Sequence, residues 1–352
     1  MGHRPKTVLT TVGDVRVGRA YYHCGHCKTG QIPYDRHSGL GRGQLSSRLA
    51  SLVSLVAAHS SFDQASRMVE ELLGIRVDDN TIAETAEQVG RVVLARQEAA
   101  VAESRQRRRP PEAQVRPQRL YVSADGALAP TLEGWREVKC GAVYWDDPIE
   151  GRQSRYVGRL AGCESFGEQL WYVACRWGLR EAPEVVVVGD GSPWIWNQAR
   201  LHFGRAKQIL DWYHASEHIW SCANELYGEG KPAAAAWANR MLKVLYAYGG
   251  RALLKRLVRS QRSRKRLSEA LLELVGYVGA NLERMHYPAY RAEGLDIGSG
   301  PVESACKRLV GGRLKGPGMR WTPAGAEAIL ALRVCWFNGQ WQELWESKPL
   351  AA

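Results

Sequence analysis

Long hydrophobic runs are missing from this sequence. No stretch approaches the roughly 20 consecutive apolar residues that a membrane helix needs. The first residues also lack the apolar segment of a secretory signal peptide. These absences argue against a membrane partner and predict a cytoplasmic protein.

Acidic residues are in deficit. The 36 Asp and Glu are outnumbered by 48 Lys and Arg, which gives a formal net charge of +12 over 352 residues. An excess of this size predicts a polyanionic partner, because cations that neutralise phosphates release bound counterions. With 45% hydrophobic residues, the chain is long enough to build two or three domains with cores of their own.

Closely spaced cysteines are rare. Of eight cysteines, only Cys24 and Cys27 form a close pair, which excludes a disulfide framework and favours a reducing compartment. A Cys-x-x-Cys pair can turn two thiolates toward one Zn²⁺, but a closed structural site needs four ligands. No second pair follows nearby, and His23 and His26 are poorly placed to help. Bound zinc, a knuckle without zinc and a module lacking its first half are therefore alternatives for residues 1–44.

Apolar residues recur at helical spacing through residues 45–98. Ser60 or Ser61 is expected to cap a helix over 62–73 that ends at Gly74, and Asp78 or Asp79 to cap another over 80–97. Two helices joined by a short turn of this kind are typical of a DNA-binding helix-turn-helix, although a plain helical bundle has the same pattern.

Residues 99–118 are predicted to be a linker. Prolines at 110, 111 and 117 oppose a continuous helix. The arginines of this segment, among them Arg107, Arg108 and Arg109, would attract phosphate groups.

The four valines of residues 185–188 predict a strand buried on both faces, and the Gly-Asp-Gly that follows is a turn signal. Asp190 therefore lies at the carboxyl end of a central strand. The strand over 120–124 likewise runs into Asp125 and Gly126. Three early strands followed by α/β alternation predict an α/β fold with a ribonuclease H-like mixed sheet over 119–350 and a helical insertion at about 220–292. In that arrangement the strands that carry Asp125 and Asp190 are neighbours.

Glu303 opens a further helix, within a stretch that is otherwise basic. Two strand-end aspartates and a helix-borne glutamate can hold two Mg²⁺ or Mn²⁺ ions, since such ions take oxygen ligands and keep several waters. Two ions can activate an attacking oxygen and stabilise a leaving one in phosphodiester cleavage. Asp211 and His214 are three residues apart and would share one face of a helical turn, either as a functional pair or as a structural hydrogen bond.

A rival pattern overlaps this one. His214, Glu217 and His218 match the His-x-x-Glu-His signature of inverted zinc peptidases. On a helix the two histidines would bind Zn²⁺ and Glu217 would act as general base. This interpretation gives no role to Asp125 or Asp190, and a peptidase has no need of so basic a chain.

Together these motifs resemble the DDE transposases of bacterial insertion sequences, in particular the ISKra group, which is similar to the wider Mutator-like assemblage. The resemblance rests on the segments around Asp125, Asp190, Asp211 to His214 and Glu303, on residues 39–90 and on the tail at 313–321. It implies a metal-binding triad of Asp125, Asp190 and Glu303, with Asp211 and His214 as an auxiliary pair.

The activity implied by the resemblance is metal-dependent cutting at the ends of a mobile element and joining to target DNA. The protein would work as a homo-oligomer on double-stranded DNA, associated with the nucleoid. We assign the remaining DNA contacts to the basic and aromatic residues after Glu303, which are Lys307, Arg308, Arg313, Lys315, Arg320 and Trp321. Such proteins often carry further cysteines before the position of Cys24, so a truncated end-binding module is expected. The alternative is a non-catalytic DNA-binding protein derived from a transposase.

Overall fold

The computed structural model describes residues 2–38, 44–262 and 268–346. Parts of the predicted segments 1–44 and 119–350 lie outside these ranges. The strands are β1 (Gly2–Thr10), β2 (Gly13–His23), β3 (Gly30–Gln31), β4 (Arg119–Thr131), β5 (Gly134–Asp147), β6 (Gly151–Arg159), β7 (Glu184–Gly189) and β8 (Lys207–Leu210).

The helices of the first half are α1 (Pro33–Ser38), α2 (Ser47–His59), α3 (Phe62–Leu73), α4 (Asp79–Gln106), α5 (Cys163–Arg176) and α6 (Pro193–His202). Those of the second half are α7 (Trp212–Tyr227), α8 (Pro232–Arg262), α9 (Glu269–Ala280), α10 (Tyr287–Ala292), α11 (Gly300–Cys306), α12 (Gly312–Leu314), α13 (Pro323–Phe337) and α14 (Trp341–Glu346). A 3₁₀ turn covers Leu282–Arg284, and a π-helical segment, here called the π turn, covers Lys307–Gly311. No helix within the described ranges is both long and apolar enough to cross a bilayer.

The N-terminal region is a small three-stranded antiparallel sheet in the order β1-β2-β3. β2 is 11 residues long and pairs with β1 over residues 13–21. The Cys24 to Cys27 segment follows β2 and leads to β3.

The predicted helix starts of the next region are confirmed. The Ser61 side chain caps α3 by accepting from the amide of Gln64, Gly74 ends that helix with φ of 66°, and Asp78 caps α4. The predicted linker start is wrong, because α4 continues to Gln106 and takes in the first part of residues 99–118. The last turns stay helical because they pack on the rest of the protein: Val101 and Ser104 are buried, and Arg105 forms an ion pair with Glu168 of α5. Further back, α4 packs on α13 so closely that a Cβ at position 90, which is glycine, would overlap the Ala328 backbone.

The larger sheet has five strands in the order β6-β5-β4-β7-β8. β5 runs antiparallel to β4 and β6, while β4, β7 and β8 are mutually parallel. The buried Val185 to Val188 strand is confirmed, with all four side chains at most 4% exposed. β4 does not end at Asp125 as expected. It continues to Thr131 because β5 still pairs with it beyond the point where β7 stops.

Helices cover both faces of this sheet. On one face, Gly141 of β5 lies so close to Phe166 and Leu170 of α5 that there is no room for a Cβ atom. On the other face, Gly158 of β6 is similarly close to Leu330 of α13 and Leu309 of the π turn. Asp125 and Cys140 are register partners, and Cys140 is paired with Gly158, so Asp125 belongs to the face covered by α11 and α13.

Candidate active site at the carboxyl edge of the sheet

Three aspartates follow aligned positions of three neighbouring parallel strands. Ala124, Gly189 and Leu210 are register partners in β4, β7 and β8. The next residues along the chain are Asp125, Asp190 and Asp211. The predicted adjacency of the Asp125 and Asp190 strands is thus confirmed, and Asp211 adds a third aspartate on the next strand. Asp125, Asp190 and Asp211 are here called the row. Carboxyl ends of parallel strands are where open α/β sheets place ligands.

Asp125 is half-buried and faces a second carboxylate. Its Oδ1 accepts a hydrogen bond from the Gly126 amide at 2.6 Å, and its Oδ2 accepts one from the Cys306 thiol at 3.6 Å. Burial raises the pKa of Asp125, and the negative charge of Asp190 raises it further, while His214 and the two hydrogen bonds act in the opposite direction. A buried carboxylate beside a like charge is an arrangement that a bound cation would relieve.

Asp190 is held by the turn that follows β7. Its carboxylate accepts from the Ser192 amide at 2.7 Å and from the Ser192 hydroxyl at 3.0 Å. Gly191 has φ of +104°, and a Cβ there would lie 3.0 Å from the ring of Tyr277. The Tyr277 hydroxyl donates to the Asp190 carbonyl at 3.0 Å, so α9, which lies between Asp190 and Glu303 along the chain, reaches the row. Only glycine fits this backbone conformation and this approach.

Asp211 is a structural residue. It is fully buried, and its Oδ1 accepts from the His214 amide at 2.8 Å, which caps α7. Its Oδ2 accepts from the Ser299 amide, just before α11. With both carboxylate oxygens used by backbone amides, Asp211 fastens the start of the helix that carries Glu303 to the end of β8.

Glu303 lies in the first turn of α11 and is 39% exposed at its side chain. Its Oε2 is 4.0 Å from the Lys307 ammonium. Cys306 follows one turn later, on the same face of α11 as Glu303. Its contact with Asp125 packs this face of the helix against the row. A hydrogen bond with Cys140, together with burial, raises the pKa of the Cys306 thiol. The thiol therefore stays protonated and can donate to Asp125.

The histidines of α7 also lie near the row. The side chain of His214 makes a 3.4 Å contact from Nδ1 to Glu217 Oε2, and it is close enough to Asp125 to lower the pKa of that carboxylate. The His218 ring stacks on Tyr277 with 3.8 Å between centroids, and burial lowers its pKa. The predicted His214 to Asp211 link exists, but through the His214 backbone amide rather than its imidazole.

Within the described ranges no three His, Cys, Asp or Glu side chains form a group that could hold a metal ion. The strand register and the charge interaction bring Asp125 and Asp190 together, whereas Glu303 does not join them in such a group. His214, Glu217 and His218, the residues of the peptidase alternative, likewise form no metal-binding group among the described residues. The donor chemistry of the aspartate pair still fits Mg²⁺, since it offers carboxylate oxygens at an edge with the burial and like charge described above.

Most of the basic residues assigned to DNA are exposed. Arg107 to Arg109, Lys307, Arg308, Lys315 and Arg320 all reach the surface. Arg313 and Trp321 do not, being 3% and 6% exposed. Arg313 donates to the Ala57 carbonyl at 2.8 Å and stacks on Trp321 at 4.6 Å. Neither side chain can reach a phosphate in this structure, because both complete the packing around the end of α2.

The Cys24 and Cys27 thiols are both exposed. Cys27 Sγ lies 2.8 Å from the Thr29 hydroxyl, and hydrogen bonds from Thr29 lower the pKa of Cys27 to about 7. A thiol with this pKa has a substantial thiolate fraction near neutral pH, which suits a metal ligand. No third ligand joins the pair among the residues described.

Three residues of the site were not predicted. Cys140, Cys306 and Tyr277 touch the row or its partners, and none belongs to a chemical motif. The position of Cys306, three residues after Glu303, was the one available signal, since residues at this spacing share a helix face. Tyr277 gave none, as it is 87 residues from Asp190 along the chain.

The fold and the row define an α/β protein with a carboxylate-lined sheet edge. The chain belongs to the uncharacterised protein family UPF0236, which matches residues 2–348. It is 25% identical over 321 residues to the UPF0236 protein in the vanSb 3′ region of Streptococcus gallolyticus. That alignment covers 88% of this chain and 67% of the relative.

Proposed function

We propose that this protein is a DNA transposase of the DDE type, which cuts the ends of an insertion sequence and joins them to target DNA with Mg²⁺ or Mn²⁺. The observation that carries the proposal is the row itself. Asp125 and Asp190 are 65 residues apart along the chain, but they follow register partners in the adjacent strands β4 and β7. The two aspartates therefore lie side by side at the sheet edge. The helix bearing Glu303 is packed on the first of them through Cys306.

The fold supports this proposal. A mixed five-stranded sheet in which the second strand is antiparallel, and the first and fourth strands are adjacent, has the strand order expected of ribonuclease H-like enzymes. The long helical stretch between Asp190 and Glu303 corresponds to the helical insertion implied by the resemblance. We assign α2 to α4 to DNA binding, as a helix-turn-helix-like unit built onto the catalytic domain through the packing of α4 on α13.

In the proposed reaction Asp125 and Asp190 would hold the metal ions, with Glu303 as the third carboxylate. Bound Mg²⁺ supplies activation of the attacking oxygen and stabilisation of the leaving oxygen. Ser192 and Gly126 orient the two aspartates through the hydrogen bonds described above. Asp211 sets the start of α11, and the exposed basic residues bind the DNA backbone, which positions the scissile phosphate.

The test uses the purified chain and DNA that carries the sequences flanking its gene. We expect Mg²⁺-dependent nicking that EDTA abolishes and that Asp190→Asn reduces by at least about 10²-fold while DNA binding persists. Asp147→Asn, the same exchange at the last residue of β5, is the matched control and should nick normally. Terminal inverted repeats in the flanking DNA, bracketed by short direct duplications, would give independent support.

A second candidate function is DNA binding without catalysis. The incomplete gathering of the three carboxylates favours it. Under this alternative the native chain binds flanking DNA but does not nick it with Mg²⁺ or Mn²⁺, and Asp190→Asn leaves binding unchanged. Nicking by the native chain would exclude it.

A further inference from the structure

Among the residues that the structure describes, Arg333 has no carboxylate partner although it is a buried cation. It lies in α13, is 3% exposed, and burial lowers its pKa to about 10. Instead of an acid it binds backbone carbonyls on two different elements. Its Nε donates to the carbonyls of Arg308 at 3.1 Å and Leu309 at 3.0 Å, and its Nη1 donates to Ala58 at the end of α2. Burying a charge in this way is costly, so the contacts it makes are informative.

The carbonyls of Arg308 and Leu309 belong to the π turn, which follows directly on the helix of Glu303. A π turn contains one more residue than an α-helical turn, and such insertions are frequent at functional sites. Each residue of a helix rotates the chain by about 100°. If the π turn relaxed to an α-helix, Glu303 and Cys306 would rotate by about that angle relative to the buried Leu314, which follows the π turn. The π turn therefore decides which face of α11 meets Asp125.

We infer that Arg333 is a positioning residue for Glu303, acting through the π turn. This rests on the proposed function, in which Glu303 is a metal ligand. Arg333 supplies donors to carbonyls that the π turn leaves buried, and a buried carbonyl needs a partner. The same guanidinium binds the end of α2, so the predicted DNA-binding helices and the Glu303 helix are held by one side chain.

The experiment compares Arg333→Lys with Arg159→Lys. Arg159 is a matched control, since it is 4% exposed and also joins α13 to the N-terminal helices, through Glu327 and Glu98 at 2.7 Å each. It has no hydrogen bond to α11 or the π turn. The readouts are the Mg²⁺ concentration for half-maximal nicking, the binding of Mn²⁺ without DNA, followed by electron paramagnetic resonance, and thermal unfolding.

We expect Arg333→Lys to need much more Mg²⁺, to lose nicking by about 10²-fold at a fixed Mg²⁺ concentration and to bind Mn²⁺ more weakly, because lysine cannot bridge the same carbonyls. Arg159→Lys should lower the melting temperature but keep the native Mg²⁺ and Mn²⁺ dependence. Equal metal dependence in the two variants would overturn the inference. So would native metal dependence in Arg333→Lys.

The proposed function and this inference fail differently. A native chain that binds Mn²⁺ but does not nick DNA contradicts the proposed function, and the Mn²⁺ comparison between the two variants then decides the role of Arg333. A native chain that binds no Mn²⁺ overturns both. Arg333→Met is the stronger variant, and Arg333→Lys keeps the test decisive if that variant does not fold.

Discussion

The row at the sheet edge contains the same side chain in two kinds of surroundings. At the β8 end, Asp211 is fully buried and its oxygens accept from the amides of His214 and Ser299. At the β4 and β7 ends, Asp125 and Asp190, here called the open pair, are half-exposed and close enough for the charge of one to raise the pKa of the other. Asp211 holds two helices in place, whereas the open pair accumulates negative charge at a sheet edge.

The difference separates a structural carboxylate from candidate functional ones. Asp211 is completely buried and accepts from two backbone amides, so a ligand from solvent cannot reach it. In the open pair, burial and the charge of Asp190 raise the pKa of Asp125, and groups with perturbed pKa values cluster at functional sites. Four predictions test this contrast, in order of decreasing effect.

The largest effect is expected on nicking. Asp125→Asn should reduce Mg²⁺-dependent nicking by at least about 10²-fold without loss of folding, because a neutral amide is a poor ligand for Mg²⁺. Nicking assays at matched folded concentration, with circular dichroism, would measure this. Asp211→Asn is the comparison, and its activity should fall only as its folded fraction falls. If both variants stay folded and lose nicking equally, the contrast is wrong.

The next effect is on stability. Asp211→Ala removes the cap of α7, which costs about 1 kcal/mol. It also leaves the buried Ser299 amide unpaired, which costs about 1–3 kcal/mol more. We expect a clear decrease in the free energy of unfolding by urea titration, and a smaller one for Asp190→Ala, whose partner Ser192 is close to solvent. A larger loss at Asp190 would refute the assignment of Asp211 as the structural member.

A smaller effect on stability, a gain rather than a loss, is expected for Asp125→Asn in the absence of metal. The folded-state pKa of Asp125 is raised above its ordinary value of 3.8, first by burial and then by Asp190. The contribution of this group to stability is therefore present below 3.8 and is lost as the pH rises through the folded pKa. At pH 7 the variant should melt at a higher temperature than the native chain, and near pH 3 the advantage should vanish.

Added Mg²⁺ supplies the control for that measurement. It should raise the melting temperature of the native chain at pH 7 and have little effect on Asp125→Asn, because only the native pair gains a counter-ion. A variant that melts below the native chain at pH 7 without metal would show that Asp125 is as structural as Asp211.

The smallest effect concerns Ser192→Ala. The hydroxyl hydrogen bond to Asp190 contributes about 1 kcal/mol, so its loss should change the Mg²⁺ concentration for half-maximal nicking by at most about fivefold. We expect that concentration to fall, since one competitor for an Asp190 oxygen is removed. A loss of nicking comparable to Asp190→Asn would place Ser192 in the reaction.

Local sequence determined much of the architecture. Four consecutive valines specified a buried central strand because β-branched side chains suit a sheet covered on both faces. Ser61, Gly74 and Asp78 set helix boundaries through caps and a left-handed backbone position, all of which depend on residues within one turn. The adjacency of the Asp125 and Asp190 strands followed from the order of strands and helices along the chain.

Tertiary structure decided which charged residues are available. Asp125, Asp190 and Asp211 look alike in the sequence, and Arg313 looks like its exposed neighbours, because burial and hydrogen-bond partners come from distant segments. Cys306 meets Asp125 across 181 residues and Arg333 meets Ala58 across 275. Contacts of this kind depend on how helices pack on the sheet, which no local pattern encodes. The sequence therefore predicted the edge where the carboxylates lie, and packing alone determined which of them is structural.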